Sequence, residues 1–317
     1  MEDKEFLKRL KEYDKQHCWQ YDIRINNLEE DLKLLPSSVD YTKLTVDDFE
    51  FQHITNDSDK LEAVYFIKRH EWLGNIAMYT THYFGAYYKG ILAGVIAMSV
   101  PNSFSKMVGD KTKDIERLIS RGACISWSPK CLASHFMMWC IKWMVKNTQF
   151  RIFSAYSDPT ARELGTIYQS CNFYYLGGDY GGSVKYISPY TGKLISDRAF
   201  RQRSFYKKYA IELGISWNKT WDMNGKIDWN LVPDDIEEQL RKKSREKQNS
   251  SKCITVPGKH KYVYVLGRTK KETEQLRKEF LSQNKTYDYP KNRNINLKET
   301  HIEDIEIKES IEKENLF

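Results

Sequence analysis

One helix limits what this chain can fold into. From residue 131 to about residue 145 the sequence carries Leu132, Phe136, Met137, Trp139, Cys140, Ile141 and Met144, with Lys142 and Lys146 near the end. These apolar positions cover more than one stripe, and a helix of that kind is stable in water only when most of its surface is buried. Its neighbours can cover it. Gly122-Ala-Cys-Ile-Ser-Trp127 precedes it and Phe150-Arg-Ile-Phe-Ser-Ala-Tyr156 follows it, and both read as strands. The chain is therefore expected to be α/β (α+β), with helices packed on a sheet.

The rest of the pattern extends that sheet. Phe49-Glu-Phe-Gln-His-Ile54 alternates as a strand does, and Asn56-Asp57-Ser58-Asp59 supplies N-caps for a helix with Leu61, Val64, Tyr65 and Ile67. Thr81-His-Tyr-Phe-Gly-Ala-Tyr87 and the apolar run 91–100 read as a hairpin turning at Tyr88-Lys89-Gly90. Asp158-Pro159 is expected to start a helix running through Tyr168, and Asn172-Phe-Tyr-Tyr-Leu176 a strand ended by Gly177-Gly178. Lys259-His-Lys-Tyr-Val-Tyr-Val-Leu266 is a late strand, followed by a basic helix from Thr269 to Phe280. The expected organisation is a helical N-terminal extension (1–46, with Phe6, Leu7, Leu10 and Tyr13 on one stripe), a core (47–181), an insertion (182–258), a final strand and helix (259–290) and an acidic tail (291–317).

Several classes drop out. The run 91–100 is too short to span a bilayer, which takes about 20 residues, so no membrane association is expected. Six cysteines include no C-x-x-C pair, so a zinc ribbon is not expected and the thiols read as reduced. Met1-Glu-Asp-Lys-Glu-Phe lacks a basic stretch followed by an apolar one, so secretion is not expected. The formal net charge of +7 is mild, but it is unevenly spread. Between residues 185 and 226 nine Lys/Arg face three acids, whereas the tail from Leu297 holds three Lys against seven acids. A segregated basic segment is what a polyanionic partner selects.

The most informative block is Ala161-Arg-Glu-Leu-Gly-Thr-Ile-Tyr168-Gln-Ser-Cys-Asn172-Phe173. A helix carrying an alanine and then a tyrosine, leading into a strand, resembles the last conserved block of the GNAT acyltransferase superfamily. With Tyr156-Ser157-Asp158 before it and Tyr175 and Gly177 after it, the block is similar to the phage Mom family. Leu118-Ile-Ser-Arg121 resembles that family's Leu-Ser-Arg element, and Ser134 falls where the family has a serine on the next helix. The resemblance covers about residues 80–180 and the strand at 260–267. It implies a GNAT-like mixed central sheet flanked by helices, with the basic, largely helical insertion before the last strand. It also implies a transferase that adds a carbamoylmethyl (acetamido-like) group to the exocyclic amine of adenine in phage DNA, in the cytoplasm of the infected bacterial host, protecting that DNA from restriction. Two departures stand out. Glu163-Leu164 replaces the family's usual His-Gly step, and the glycines of the GNAT pyrophosphate loop are absent from Ser128-Pro-Lys-Cys-Leu-Ala-Ser134.

The resemblance assigns catalytic roles to Asp158 (base, or orienting the amine), Tyr168 (proton donor, or hydrogen-bonding the transferred group) and Arg121 (binding an anionic donor or phosphate). Each has a plainer reading: a helix N-cap, a core tyrosine and a structural ion pair. Lys130 and Ser134 at the head of the apolar helix are candidates for cofactor binding, an acyl-CoA-type donor being one option and the donor otherwise unknown. No spacing of His, Cys or Asp marks a metal site, though a metal is not excluded. The insertion interleaves cations with aromatics in Arg198-Ala-Phe-Arg-Gln-Arg-Ser-Phe-Tyr-Lys-Lys-Tyr209. Arg198, Arg201, Arg203, Lys207 and Lys208 would meet DNA phosphates and Tyr206 would stack on a base; an amphipathic helix with its aromatics inward gives the same pattern. Two other functions fit the same features: a conventional acyl-CoA-dependent N-acetyltransferase, and a non-catalytic DNA-binding protein.

Overall fold

The computed structural model describes residues 18–101, 106–180, 184–192, 194–223 and 225–291. The expected stripe at Phe6, Leu7, Leu10 and Tyr13 and the acidic tail lie outside these residues. The chain divides into two compact units, one containing residues up to Tyr180 and again from Lys259, the other the intervening Gly181–Gly258.

The first unit holds a seven-stranded sheet. Its strands are β1 (Glu50–Ile54), β2 (Thr80–Tyr88), β3 (Ile91–Ser99), β5 (Glu116–Cys124), β6 (Ile152–Ser157), β7 (Tyr174–Tyr175) and β13 (His260–Val265). A short β4 (Met107–Asp110) and a one-turn α3 (Thr112–Ile115) lie outside it. The spatial order is β1-β2-β3-β5-β6-β13-β7, so the last strand in sequence inserts between β6 and β7. Only β5 and β6 pair in parallel; the other pairs are antiparallel. This is the expected mixed central sheet flanked by helices.

Both faces are covered. α4 (Leu132–Asn147) buries Phe136, Met137, Cys140, Ile141 and Met144 against Phe84, Ile96, Phe153, Ala155 and Tyr262. The alternate side chains, including Ile54, Val95 and Ala123, meet α1 (Trp19–Leu32) and α2 (Asp57–His70). Farther along, Ile152, Val263 and Val265 meet α8 (Lys270–Gln283), which Thr269 caps through the Glu272 N–H at 3.1 Å. Period-two alternation of strand side chains divides them between these layers.

Two details position the site. The β5–β6 register runs only from Glu116 opposite Ile152 to Ile119 opposite Ala155, while β5 continues to Cys124 and β6 to Ser157. The two strands therefore part, with Arg121 on one lip and Asp158 just beyond the other. The expected continuous helix from Asp158 to Tyr168 is broken. A 3-10 turn at Pro159–Ala161 stops at Arg162 (φ 56), and a short α5 (Thr166–Ser170) begins after Gly165 (φ 69). Left-handed residues end a helix, and here two of them bracket Glu163 and Leu164.

In the second unit, α6 (Arg203–Glu212) and α7 (Asp234–Ser250) enclose a core of Tyr206, Tyr209, Ala210 and Leu240. This unit is less purely helical than expected. It also holds a three-stranded sheet of β8 (Val184–Ile187), β9 (Leu194–Ile195) and β12 (Cys253–Thr255), and a small hairpin of β10 (Asp222–Met223) and β11 (Lys226–Ile227).

Candidate active site

The mouth between β5 and β6 gathers charged side chains from five segments. From β5, Arg121 Nε donates to the Asn75 carbonyl and Nη2 to Asn75 Oδ1, each at 2.7 Å, and Nη1 donates to the Ser120 carbonyl. Its Nε also lies 3.9 Å from Glu71 Oε2. Glu71 belongs to the α2–β2 connection, where the same oxygen accepts the Leu73 N–H at 3.0 Å and the Gly74 N–H at 2.9 Å. Arg121 and Glu71 thus pin this connection to the edge of the opening.

Asp158 follows β6 and is buried. Its Oδ1 accepts from the Thr160 N–H at 3.0 Å and the Thr160 hydroxyl at 2.6 Å, and its Oδ2 lies 3.0 Å from Lys259 Nζ. Burial works to raise its carboxyl, but Lys259 and the Thr160 donors outweigh that and hold it below the usual range. The capping role read from Asp-Pro is therefore real, and an ion pair accompanies it.

The block from Gly165 to Gln169 has a mechanical explanation. The buried Tyr262 of β13 donates its hydroxyl to the Leu164 carbonyl, and Gln169 Nε2 donates to that carbonyl at 2.8 Å and to the Tyr262 oxygen at 3.2 Å. A Cβ on Gly165 would lie 2.5 Å from Tyr262 Cε2. Glycine is thus required twice, for a left-handed φ and for the approach of the ring. The clamp fixes Tyr168, whose ring centroid lies 5.3 Å from that of Tyr262 and 5.4 Å from that of Phe173. Burial, then the charges of Glu163 and Glu71, push the Tyr168 phenol well above its ordinary range. It is protonated at neutral pH, as a proton donor must be.

Glu163, between the two left-handed residues, completes the cluster. Burial first, then the Glu71 charge, raise its carboxyl from 4.5 to about 7; the Asp158 N–H and the Trp72 side chain pull it back in part. Glu71 is itself raised by burial, against Arg121 and the Gly74 and Leu73 N–H groups. The sequence reading missed Glu71, Glu163, Lys259 and Tyr262. Only Gly165 hinted at them, as a glycine where a helix was expected.

The other candidates lie elsewhere. Lys130 is exposed ahead of α4, and Ser134 Oγ donates to the Cys131 carbonyl at 2.9 Å within its own helix. In the loop between β5 and α4, a pyrophosphate cradle would offer free backbone N–H groups. Here the Ser126 N–H donates to Asp31 Oδ2 at 3.1 Å, the Ser128 N–H to the Ile125 carbonyl at 3.1 Å and the Leu132 N–H to the Pro129 carbonyl at 3.0 Å. Arg24 of α1 straps the same loop through the Ser126 and Ser128 carbonyls, and Trp127 is buried in it. The Ser126, Ser128 and Leu132 N–H groups are thus committed to protein acceptors, and no glycine lies between Ser126 and Ser134 to ease a close approach. Among the described residues no group of three or more His, Cys, Asp or Glu is placed to hold a metal ion, and no helix is long and apolar enough to cross a membrane.

Of the insertion candidates, Arg198 is exposed. Arg201 pairs with Asp197 at 2.5 Å, and Asp222 takes both Lys207 at 2.7 Å and Arg203 at 3.6 Å. Lys208 lies over the Tyr190 ring, 4.5 Å from its centroid. Tyr206 is 3% exposed and packs edge-on against Trp229 at 4.9 Å, so its ring belongs to the core of this unit and does not face solvent.

Comparison with known proteins adds the following. The family model described as the Mom protein family matches residues 49–291. No curated protein matches the chain. Among solved structures it is similar to a GNAT family acetyltransferase from Elizabethkingia anophelis with acetyl-CoA bound, at 13% identity over 42% of this chain and 81% of that one, with a TM-score of 0.32. It is also similar to a probable acetyltransferase from Staphylococcus epidermidis (13% identity, 43% and 89% covered, TM-score 0.32). A third is a GNAT family acetyltransferase from Streptococcus pneumoniae (14% identity, 46% and 94% covered, TM-score 0.31).

Proposed function

The chain belongs to the Mom protein family, and from that we propose that it is a DNA-modifying transferase that adds a carbamoylmethyl-type group to the exocyclic amine of adenine, shielding phage DNA from restriction in the bacterial cytoplasm. The observation that carries this reading is the family match over residues 49–291, which spans the whole cluster around Arg121, Asp158 and Tyr168. The geometry supports a division of roles. Tyr168, held by the Tyr262–Gln169 clamp and kept protonated, gives its proton to the leaving group. Asp158, fixed by Thr160 and Lys259, orients the amine. Arg121 uses three donors to hold Asn75 and Ser120, and its remaining N–H groups are what an anionic donor or phosphate would meet. Lys130 adds a positive charge at the head of α4.

The target amine is stacked inside duplex DNA, so the base is extruded or single-stranded when it reacts. The second unit supplies phosphate contacts through Arg198, Lys208 and the outward cations of α6 and α7; Tyr206 has a packing role there. The test is expression alongside plasmid DNA, digestion to nucleosides and mass analysis. A deoxyadenosine heavier by one carbamoylmethyl unit is expected. Unmodified deoxyadenosine throughout, from folded protein, refutes the reading.

A further inference from the structure

The three carboxylates of the site are not equivalent. Asp158 is tied to a lysine and to two donors of Thr160. Glu71 is tied to two backbone N–H groups and lies beside Arg121. Glu163 is held differently. It sits on a two-residue kink between left-handed Arg162 and Gly165, with its own N–H donating to the Asp158 carbonyl at 3.2 Å. The donors to its carboxylate are the Asp158 N–H and the Trp72 side chain, both neutral. The groups that face it are Glu71 from the α2–β2 connection, Asp158 after β6 and Tyr168 on α5. Of the cations around the cluster, Arg121 on β5 lies beside Glu71, Lys259 ahead of β13 pairs with Asp158, and Arg162 is the half-buried chain neighbour of Glu163.

We propose that Glu163 is the proton acceptor for the amine modified at this site. The inference deepens the transferase reading and rests on it. As the amine nitrogen bonds to the electrophilic carbon of an acyl- or carbamoylmethyl-type donor, the bond from that carbon to its leaving group breaks. The amine proton passes to Glu163, and the leaving group takes the phenolic proton of Tyr168. The balance closes when Glu163 returns its proton to the Tyr168 phenolate, on which its charge weighs more than that of any other group. Asp158 is a poor choice for this role, because Lys259 and Thr160 already satisfy its charge. Glu163 is suited to it: its carboxyl, raised to about 7, loses and regains a proton near neutral pH. The strained backbone at Arg162 fits a side chain held in place for chemistry, since such strain persists only where surrounding structure enforces it.

The experiment measures initial rates of nucleoside modification in plasmid DNA from roughly pH 5 to 9, with a low-molecular-mass bacterial extract as the donor pool. Wild type should show an acid limb near pH 7, matching Glu163. Glu163→Gln should lose about a hundredfold or more in rate, and that limb should vanish. Glu163→Asp should recover part of the rate and keep a limb. Glu71→Gln, which removes the neighbouring charge that helps raise Glu163, should move the limb to lower pH. A purely structural role for Glu163 would not move the limb in this way. Thermal melts confirm that each variant is folded. If Glu163→Gln keeps the wild-type limb, or stays within about twofold of wild type where proton transfer contributes more, the inference is overturned while the transferase reading stands. If wild type modifies no DNA, the transferase reading fails and the inference with it.

Discussion

Replacing Gly165 with alanine tests whether the kink that carries Glu163 and leads into Tyr168 is built as described. Two costs apply. At φ 69 an added Cβ crowds the following carbonyl, which costs roughly 1–2 kcal/mol. That Cβ would also lie 2.5 Å from Tyr262 Cε2, 2.8 Å from Tyr262 Cζ and 3.0 Å from Tyr168 Cδ2. The Tyr262 ring has no room to retreat. It is buried, packs at a tilt against Tyr168 at 5.3 Å and Tyr175 at 5.1 Å, and is held by its hydrogen bond to the Leu164 carbonyl. Forcing such a ring aside costs about 1–3 kcal/mol more.

The two costs can be separated. Gly109 lies in the same unit with a nearly equal φ of 73, and a Cβ there would meet nothing within 4 Å. Gly109→Ala should therefore lose only the conformational part, roughly 1–2 kcal/mol. Gly165→Ala should lose roughly 1–3 kcal/mol beyond that. Denaturant unfolding of both variants, at shared slope, gives the difference directly. Gly165→Ala should also modify DNA more slowly, because the clamp on Leu164 and Tyr168 is disturbed, whereas Gly109→Ala should not. If both variants lose the same stability, the clash with Tyr262 is relieved at no cost and the clamp argument is wrong.

Three further outcomes are expected. Glu163 is raised from 4.5 to about 7 in the folded protein, so the fold binds more protons than the unfolded chain between those values and loses stability as pH rises through them. Glu163→Gln should thus match wild type below pH 4.5 and exceed it at pH 8, by at most about 3 kcal/mol, as urea unfolding at the two pH values will show. Tyr206→Ala should destabilise the second unit by about 3–5 kcal/mol, seen as early loss of its helical signal on heating, because the ring fills that unit's core. Arg198→Ala should weaken DNA binding evenly across sequences and reduce the slope of log affinity against log salt by about 1, measured by fluorescence anisotropy over a salt series.

What the sequence made legible was whatever rests on local pattern. α4 announces itself by its apolar surface, α8 by the Thr269 cap, and β13 by the alternation in Lys259-His-Lys-Tyr-Val-Tyr-Val. The segment from Asp158 to Tyr168 was misread because a cap followed by a helical tyrosine looks continuous in one dimension. Only the ring of Tyr262, far along the chain, makes Gly165 a break. Glu71 and Glu163 were invisible for the same reason, since the sheet order brings together the ends of strands distant in sequence. In the insertion, the alternation of cations and aromatics fits both a base-stacking surface and an amphipathic helix with its aromatics inward. Tyr206 and Tyr209 face inward at helical spacing, leaving the cations on the outer face.

The loop between β5 and α4 limits how a donor can be held. In a fold that cradles a diphosphate, that loop must offer its N–H groups to an anion. Here the Ser126 N–H is held by Asp31, which is fully buried and also accepts from Arg69 at 2.8 Å. His70, 3.5 Å from the same carboxylate, is pushed down to about 4 by burial against the pull of Asp31, so it is neutral at physiological pH. Releasing Ser126 for a ligand would remove a donor from a buried carboxylate and bring a second anion towards it, a combination that costs several kcal/mol in a dry interior. α1, through Arg24 and Asp31, thus fixes the Ser126–Ser128 part of the loop. Arg121→Ala and Lys130→Ala should each weaken donor use more than any change to the loop backbone does, as initial rates of DNA modification will show.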